Sequence, residues 1–203
     1  MMMVWLKVIS VAHEYAPTDP FGQPFRPADI SWPAMIHDEN PFLDSPDQRD
    51  PIRRFRGRLA APVTVVTSGP ADQRVGLTVS SLNVMEGDPG VVQLVVGPAS
   101  DLWTHAAETG HFVVHICRED DRLLAEVFAG LRPSPGGMFA GQEVTDTEWG
   151  PVLDRLTDRA YCRFSGRSEL GYSGVLTGEI DRIETADLAL PLVYFRGKYR
   201  TLD

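Results

Sequence analysis

The sequence predicts a mainly β domain, a β-barrel carrying a few flanking helices, behind an irregular arm. Three observations predict this. Short runs rich in β-branched and aromatic residues recur at 63–67, 75–79, 91–96, 112–117, 161–164, 175–183 and 192–196. The helical patterns among them are few and do not alternate regularly with the strands, which argues against a parallel α/β sheet. Residues 1–48 are punctuated by Pro17, Pro20, Pro24, Pro27, Pro33, Pro41 and Pro46 and keep neither a helical nor a strand period.

The arm (1–48) holds Trp5, Tyr15, Phe21, Phe25, Trp32 and Phe42. That is too aromatic for a solvated tail, so an arm lying across the body or across a second subunit is expected. The main domain then covers 49–203. Asp50 as N-cap and Pro51 at the first helical position start a helix. Phe55, Leu59 and Ile52 form its apolar stripe. Arg53, Arg54, Arg56 and Arg58 lie off the stripe and make the one basic cluster, either a solvated face or an anion contact.

The strand at 63–67 ends at the turn signal Ser68-Gly69-Pro70. After the strands at 75–79 and 91–96, Ser100 or Asp101 caps a helix. Leu102, Trp103 and Ala106 face inward on it, and Gly110 stops it. A strand follows at 112–117. A helix at 120–129 places Leu123, Leu124, Val127 and Phe128 on one side and ends at Gly130. Residues 131–150 read as loop, and 151–156 as a helical turn. The last strands are those at 161–164, 175–183 and 192–196.

A chain of 203 residues that is 43% apolar can bury one sizeable core. Its net charge of −9 disfavours a nucleic-acid duplex or an anionic membrane as partner. The apolar opening, 1–12, is short, is interrupted by Lys7 and lacks a basic flank. It suits neither a membrane span nor a secretion signal, so a cytoplasmic location is expected. Cys117 and Cys162 sit in strand-like, apolar surroundings and read as buried free thiols in a reducing compartment.

A metal site is not expected. His111 and His115 would share a helix face, but on a strand their rings would sit about 13 Å apart. Gly-x-Ser-x-Gly, the P-loop and Gly-x-Gly-x-x-Gly do not occur. What remains is binding by hydroxyls and backbone. Thr78-Val79-Ser80-Ser81 stands where a strand ends, and Ser100 stands at a helix start, where amides and the dipole favour a phosphate. On chemistry alone these residues are either a binding edge or ordinary turn polarity with an ordinary N-cap.

Five landmarks in order add to this reading. They are Gly76-Leu77-Thr78-Val79-Ser80-Ser81 with Asp88-Pro89; Ser100 with Thr109-Gly110-His111-Phe112-Val113-Val114; Phe128-Ala129; Gly171-Tyr172-Ser173-Gly174-Val175-Leu176-Thr177-Gly178-Glu179-Ile180; and Pro191-Leu192-Val193-Tyr194-Phe195-Arg196-Gly197-Lys198-Tyr199. From about residue 50 onward the chain thereby resembles the flavin reductase family, with its FMN-binding split β-barrel. The resemblance implies a homodimer with flavin, FMN or FAD, in a groove. Thr78, Val79, Ser80 and Ser81 would contact the isoalloxazine edge and the ribityl-phosphate chain. Val96, Gly97 and Pro98 would line the groove, Ser100 would help hold the phosphate, and Phe128 with Ala129 would close one side.

Two departures stand out. Tyr172-Ser173 replaces the family's Asp-His, whose histidine is associated with the nicotinamide cofactor. Ser100-Asp101-Leu102 replaces its Ser-x-Thr. Tyr172 and Ser173 would then sit on the nicotinamide or substrate side, Tyr172 either stacking on a ring or packing in the core or at the rim. Lys198 or Arg200 would add positive charge there or lie in an exposed tail. The implied activity is NAD(P)H-dependent reduction of FMN or FAD, with a partner monooxygenase as a consumer. The alternative is a flavin carrier or electron-transfer protein without nicotinamide chemistry. A third reading is a flavin enzyme reducing another small molecule, with the arm as its lid.

Overall fold

The computed structural model describes residues 51–187 and 189–202; the arm at 1–48 and the cap at Asp50 lie outside them. Helix α1 (Pro51–Arg56) buries none of its residues. Its expected apolar stripe is exposed, with Ile52, Phe55 and Leu59 all in solvent.

The body is built on a seven-stranded antiparallel sheet. In chain order its strands are β2 (Thr64–Ser68), β3 (Val75–Val79), β4 (Leu82–Met85), β5 (Val91–Val96), β6 (His111–Ile116), β9 (Arg159–Leu170) and β10 (Ser173–Glu184). Their spatial order is β3-β2-β6-β9-β10-β5-β4. Strands β3 and β4 therefore occupy opposite edges, yet only Ser80 and Ser81 join them in the chain. Two residues reach about 11 Å at most between the flanking Cα atoms, so the sheet must curl until its edges meet. The Val95 amide donates to the Ser81 carbonyl at 2.9 Å, carrying the β4–β5 ladder one residue further, up to that seam.

Three smaller units complete the domain. Strand β1 (Ala61–Pro62) pairs with β11 (Leu192–Phe195), which pairs with β12 (Lys198–Thr201). Strands β7 (Val144–Thr147) and β8 (Gly150–Leu153) form a hairpin. Helices α2 (Asp101–Thr109) and α3 (Arg122–Phe128) flank the sheet.

Strand β2 is buried along its whole length because it is covered on both faces. Val66 points into the barrel with Val79, Leu94, Leu102, Trp103, Phe112 and Leu176. Val65 points outward to Leu124, Phe128, Leu153, Leu156 and Leu192. This alternation is the period-two signature of a pleated strand. The two threonine hydroxyls of β2 are satisfied across the fold: Thr64 donates to the Val79 carbonyl and Thr67 to the Pro151 carbonyl.

Four differences from the sequence expectation have physical causes. The expected helical turn at 151–156 is strand β8, because Gly150 (φ 119°) closes a tight hairpin on β7, itself a strand inside the expected loop. The helix expected at 120–129 begins with a 3-10 turn, Glu119–Asp121, and becomes α-helical only at Arg122. That start turns Leu124, Ala125 and Phe128 inward and leaves Leu123 58% exposed. The strand read at 161–164 extends to Leu170, with exposed polar residues along its far half. The expected tail after Arg196 returns as β12, because Arg196 (φ 53°) and Gly197 (φ 80°) supply the two positive φ values of a two-residue hairpin loop.

His115, fully buried on β6, locks three strands. Its Nδ1 lies 3.0 Å from the Val65 carbonyl, and the Leu153 amide donates to its Nε2 at 3.2 Å. An amide can only donate, so Nε2 carries the lone pair and Nδ1 the proton, donated to Val65. Both bonds exist together only for the neutral ring. Burial, outweighing the bond to Val65 and aided by the Arg159 charge, lowers its pKa to about 4. Cys117 and Cys162 are buried free thiols, as expected, and burial pushes both up to about 12.

Candidate functional site at the barrel seam

Strand pairing gathers one group of the expected residues. Ser80 and Ser81 form the seam, and Val95 is bonded to it. Val96 pairs with Gly174 on β10, which places Ser173 and the β9–β10 turn at the same end of the sheet. The chain leaves Val96 through Gly97 and Pro98 to Ser100, the N-cap of α2. Ser80, Ser81, Val96, Gly97, Pro98, Ser100, Tyr172 and Ser173 thus converge on one rim. Phe128 and Ala129 are the C-terminal end of α3, and Thr78 is hydrogen-bonded to that helix. Lys198 is exposed on β12, in the other sheet, and no strand pairing brings it to the seam.

The local bonding decides what each residue can offer. Among the described residues the Ser80 and Ser81 hydroxyls have no hydrogen-bond partner. A Cβ placed on Gly97 would meet nothing within 4 Å, so open space stands over that backbone. The Thr78 and Ser100 hydroxyls are engaged. Thr78 donates to the Ala125 carbonyl at 2.7 Å. Ser100 donates to the Gly97 carbonyl at 2.8 Å and accepts from the Trp103 amide at 3.3 Å. Val79 turns its side chain into the barrel core.

Phe128 is the last residue of α3. Its ring is 2% exposed, lies against Gly76 and meets Phe139 edge-on with centroids 5.1 Å apart. The aromatic ring is used to pack α3 on β3. Ala129 is half-buried and its amide closes the helix on Ala125. Tyr172 is 85% exposed at the tip of the β9–β10 hairpin, so neither core nor rim packing among the described residues holds it.

Trp103 and Arg167 complete the rim. Trp103 lies so close on Gly174 that a Cβ there would fall 2.4 Å from its ring. Arg167 lies over the same ring, 5.0 Å from its centroid, and donates to the Trp103 carbonyl at 2.8 Å. Arg167 was not a candidate from sequence, because the strand that carries it reads as ending at 164. The run 165–169 is polar on both faces, so no alternation in the sequence extended the strand to it.

Two clefts of about 250 and 290 Å³ are lined by other residues, the first by Arg122, Tyr199 and Arg200 among others, the second by Thr109 and Trp149. What the rim offers is the unspent hydroxyls of Ser80 and Ser81, open backbone at Gly97 and the apolar end of a barrel. Those residues fit a flat ring with acceptor edges, the shape and chemistry of a flavin.

Residues 56–203 match the family model described as flavin reductase like domain. The chain belongs to that family. It is 30% identical over 158 residues to the NADH-dependent FMN reductase AsuE2 of Streptomyces nodosus subsp. asukaensis, covering 76% of this chain and 85% of that protein. It is 30% identical over 151 residues to the reductase component of the 4-nitrophenol 4-monooxygenase/4-nitrocatechol 2-monooxygenase of Rhodococcus opacus, covering 73% and 78%. Among solved structures it superposes on flavin reductase PheA2 with a TM-score of 0.69 at 22% identity, covering 76% of this chain and 99% of that one. The expected split β-barrel class is thereby borne out.

Proposed function

We propose that this chain is an NAD(P)H:flavin oxidoreductase that reduces FMN or FAD, with NADH as donor, and supplies a partner monooxygenase. The observation that carries this reading is the seam itself: two partnerless hydroxyls beside open backbone, on a domain of this family. The names of the relatives support the donor, the flavin and the monooxygenase.

A flavin held by Ser80, Ser81 and the Val96–Pro98 wall would supply the redox chemistry, hydride acceptance from a dihydronicotinamide. The protein orients it. Ser80 and Ser81 donate to acceptor atoms of the ring edge and the ribityl chain. Val96, Gly97 and Pro98 form the apolar wall, with close approach permitted at Gly97. Thr78 and Ser100 act indirectly, fixing α3 and the α2 start, and Phe128 with Ala129 sets the seam's outer flank. Tyr172 and Ser173 face the nicotinamide side, and Lys198 adds charge from a second subunit. The resemblance to the family supports a homodimer in which the partner completes the groove. Residues 49–203 form the catalytic domain, and 1–48 the arm. A cytoplasmic location suits two buried thiols, and no helix among the described residues is long and apolar enough to cross a membrane.

The test is direct. The purified protein is titrated with FMN, FAD and riboflavin by flavin fluorescence and melting temperature, and NADH and NADPH oxidation is then followed with each flavin. Steady oxidation supports the proposal. Flavin binding with no turnover selects the carrier reading, which the replacement of Asp-His by Tyr172-Ser173 favours. No effect of any flavin on fluorescence or melting overturns both.

A further inference from the structure

The large sheet carries four arginines on β9 and β10. Three are paired with carboxylates: Arg159 with Glu184, Arg163 with Glu179 and Asp181, and Arg182 with Glu184. Arg167 has no carboxylate within ion-pair distance among the described residues, although Glu169 is two positions along its own strand. It is nevertheless held. One N–H donates to the Trp103 carbonyl, and the guanidinium lies over the Trp103 ring. The ring is fixed in turn by its close approach to Gly174.

Arg167 pairs with Leu176, whose side chain is in the barrel core, so both leave the sheet on the same face. On that face Gly174 and then Val96 are the next neighbours, which brings the guanidinium to the rim where the 97–100 turn begins. A guanidinium offers five N–H donors in a rigid fork suited to phosphate and carboxylate oxygens. Here one is used and the rest have no partner among the described residues.

We propose that Arg167 is the residue that recognises the phosphate of the flavin, selecting the phosphomonoester FMN over unphosphorylated riboflavin. This rests on the flavin reading of the same rim. Anchoring by carbonyl and ring holds the fork in place before the ligand arrives, so little side-chain entropy is lost on binding.

The experiment compares FMN and riboflavin binding by fluorescence titration in the wild type, Arg167→Met and Arg167→Lys, with the melting temperature of each. Arg167→Met is expected to weaken FMN about tenfold to a hundredfold, the range of a charge-assisted phosphate contact, and to change riboflavin by less than about twofold. Arg167→Lys keeps the charge without the fork and falls between. In the wild type, added salt weakens FMN and leaves riboflavin unchanged. Equal losses for both flavins, or unchanged FMN binding, overturn the proposal. So does a rise in the KM for NADH with FMN affinity intact, which would assign the guanidinium to the dinucleotide. If Arg167→Met does not fold, Arg167→Lys and the salt dependence decide: FMN binding insensitive to both overturns it. A wild type that binds riboflavin as tightly as FMN refutes the role of Arg167 alone, whereas one that binds neither removes the flavin reading.

Discussion

Replacing His115 with Gln removes a titrating ring from the interior while keeping one donor and one acceptor. In the folded chain the imidazole stays neutral down to about pH 4, against 6.5 for the ordinary group. Between those values the unfolded chain holds a proton that the folded chain does not. Stability from this group is therefore fully present above 6.5, falls as pH drops, and is gone below about 4. One proton of difference corresponds to a slope of up to about 1.4 kcal/mol per pH unit, and the whole interval to about 3 kcal/mol. Urea unfolding at successive pH values reads this slope. The ion-paired carboxylates of Glu126, Asp146 and Asp158 are held below their ordinary values, Asp146 by its hydrogen bond to Arg74, Asp158 by the Ala186 amide and Glu126 by its two arginines against burial. Their contribution starts to be lost as pH falls through the ordinary carboxylate values, 4.5 for Glu126 and 3.8 for the two aspartates, so the upper half of the interval isolates His115. There the wild type loses stability and His115→Gln stays flat. The variant is also weaker at neutral pH, by about 1–3 kcal/mol, because one amide cannot reach both Val65 and Leu153. Parallel slopes for the two proteins in that upper half would refute the neutral, doubly bonded ring.

Leu124→Ala should cost about 2–5 kcal/mol in urea unfolding and Leu123→Ala less than about 0.5, because only Leu124 is buried by the 3-10 start of α3. Gly174→Ala places a methyl inside the Trp103 ring and should destabilise by about 1–3 kcal/mol, read as a lower urea midpoint with unchanged m. The double change Ser80→Ala and Ser81→Ala should weaken FMN binding about tenfold with no fall in melting temperature, since neither hydroxyl has a partner among the described residues; a lower melting temperature would give the serines a structural role instead.

The parts of the fold legible in the sequence were those decided locally. Strands β3 and β5 are uninterrupted runs, and α2 has Ser100 and Gly110 at its ends, so their limits follow from residue type alone. Strand β4 was not legible: Asn83 and the exposed Val84 and Met85 give it no buried face, and its partner β5 defines it. The far half of β9 escaped for the same reason, its alternation being polar on both faces. In the site, Ser80 and Ser81 could be read from the end of a strand. That the Thr78 hydroxyl is diverted to Ala125 could not, because it depends on where α3 docks.

Because the strands at the two rims of the open sheet are chain neighbours, the ring of strands closes only when all five between them are in place. A ligand resting across Ser80 and Ser81 therefore reports on the integrity of the whole ring, and one that holds only the closed form adds RT ln(1 + [L]/Kd) to its resistance to unfolding, about 2.7 kcal/mol at a hundredfold excess over Kd. Loss of the ligand would loosen first the joint furthest, along the hydrogen-bonded ladder, from the central strand β9.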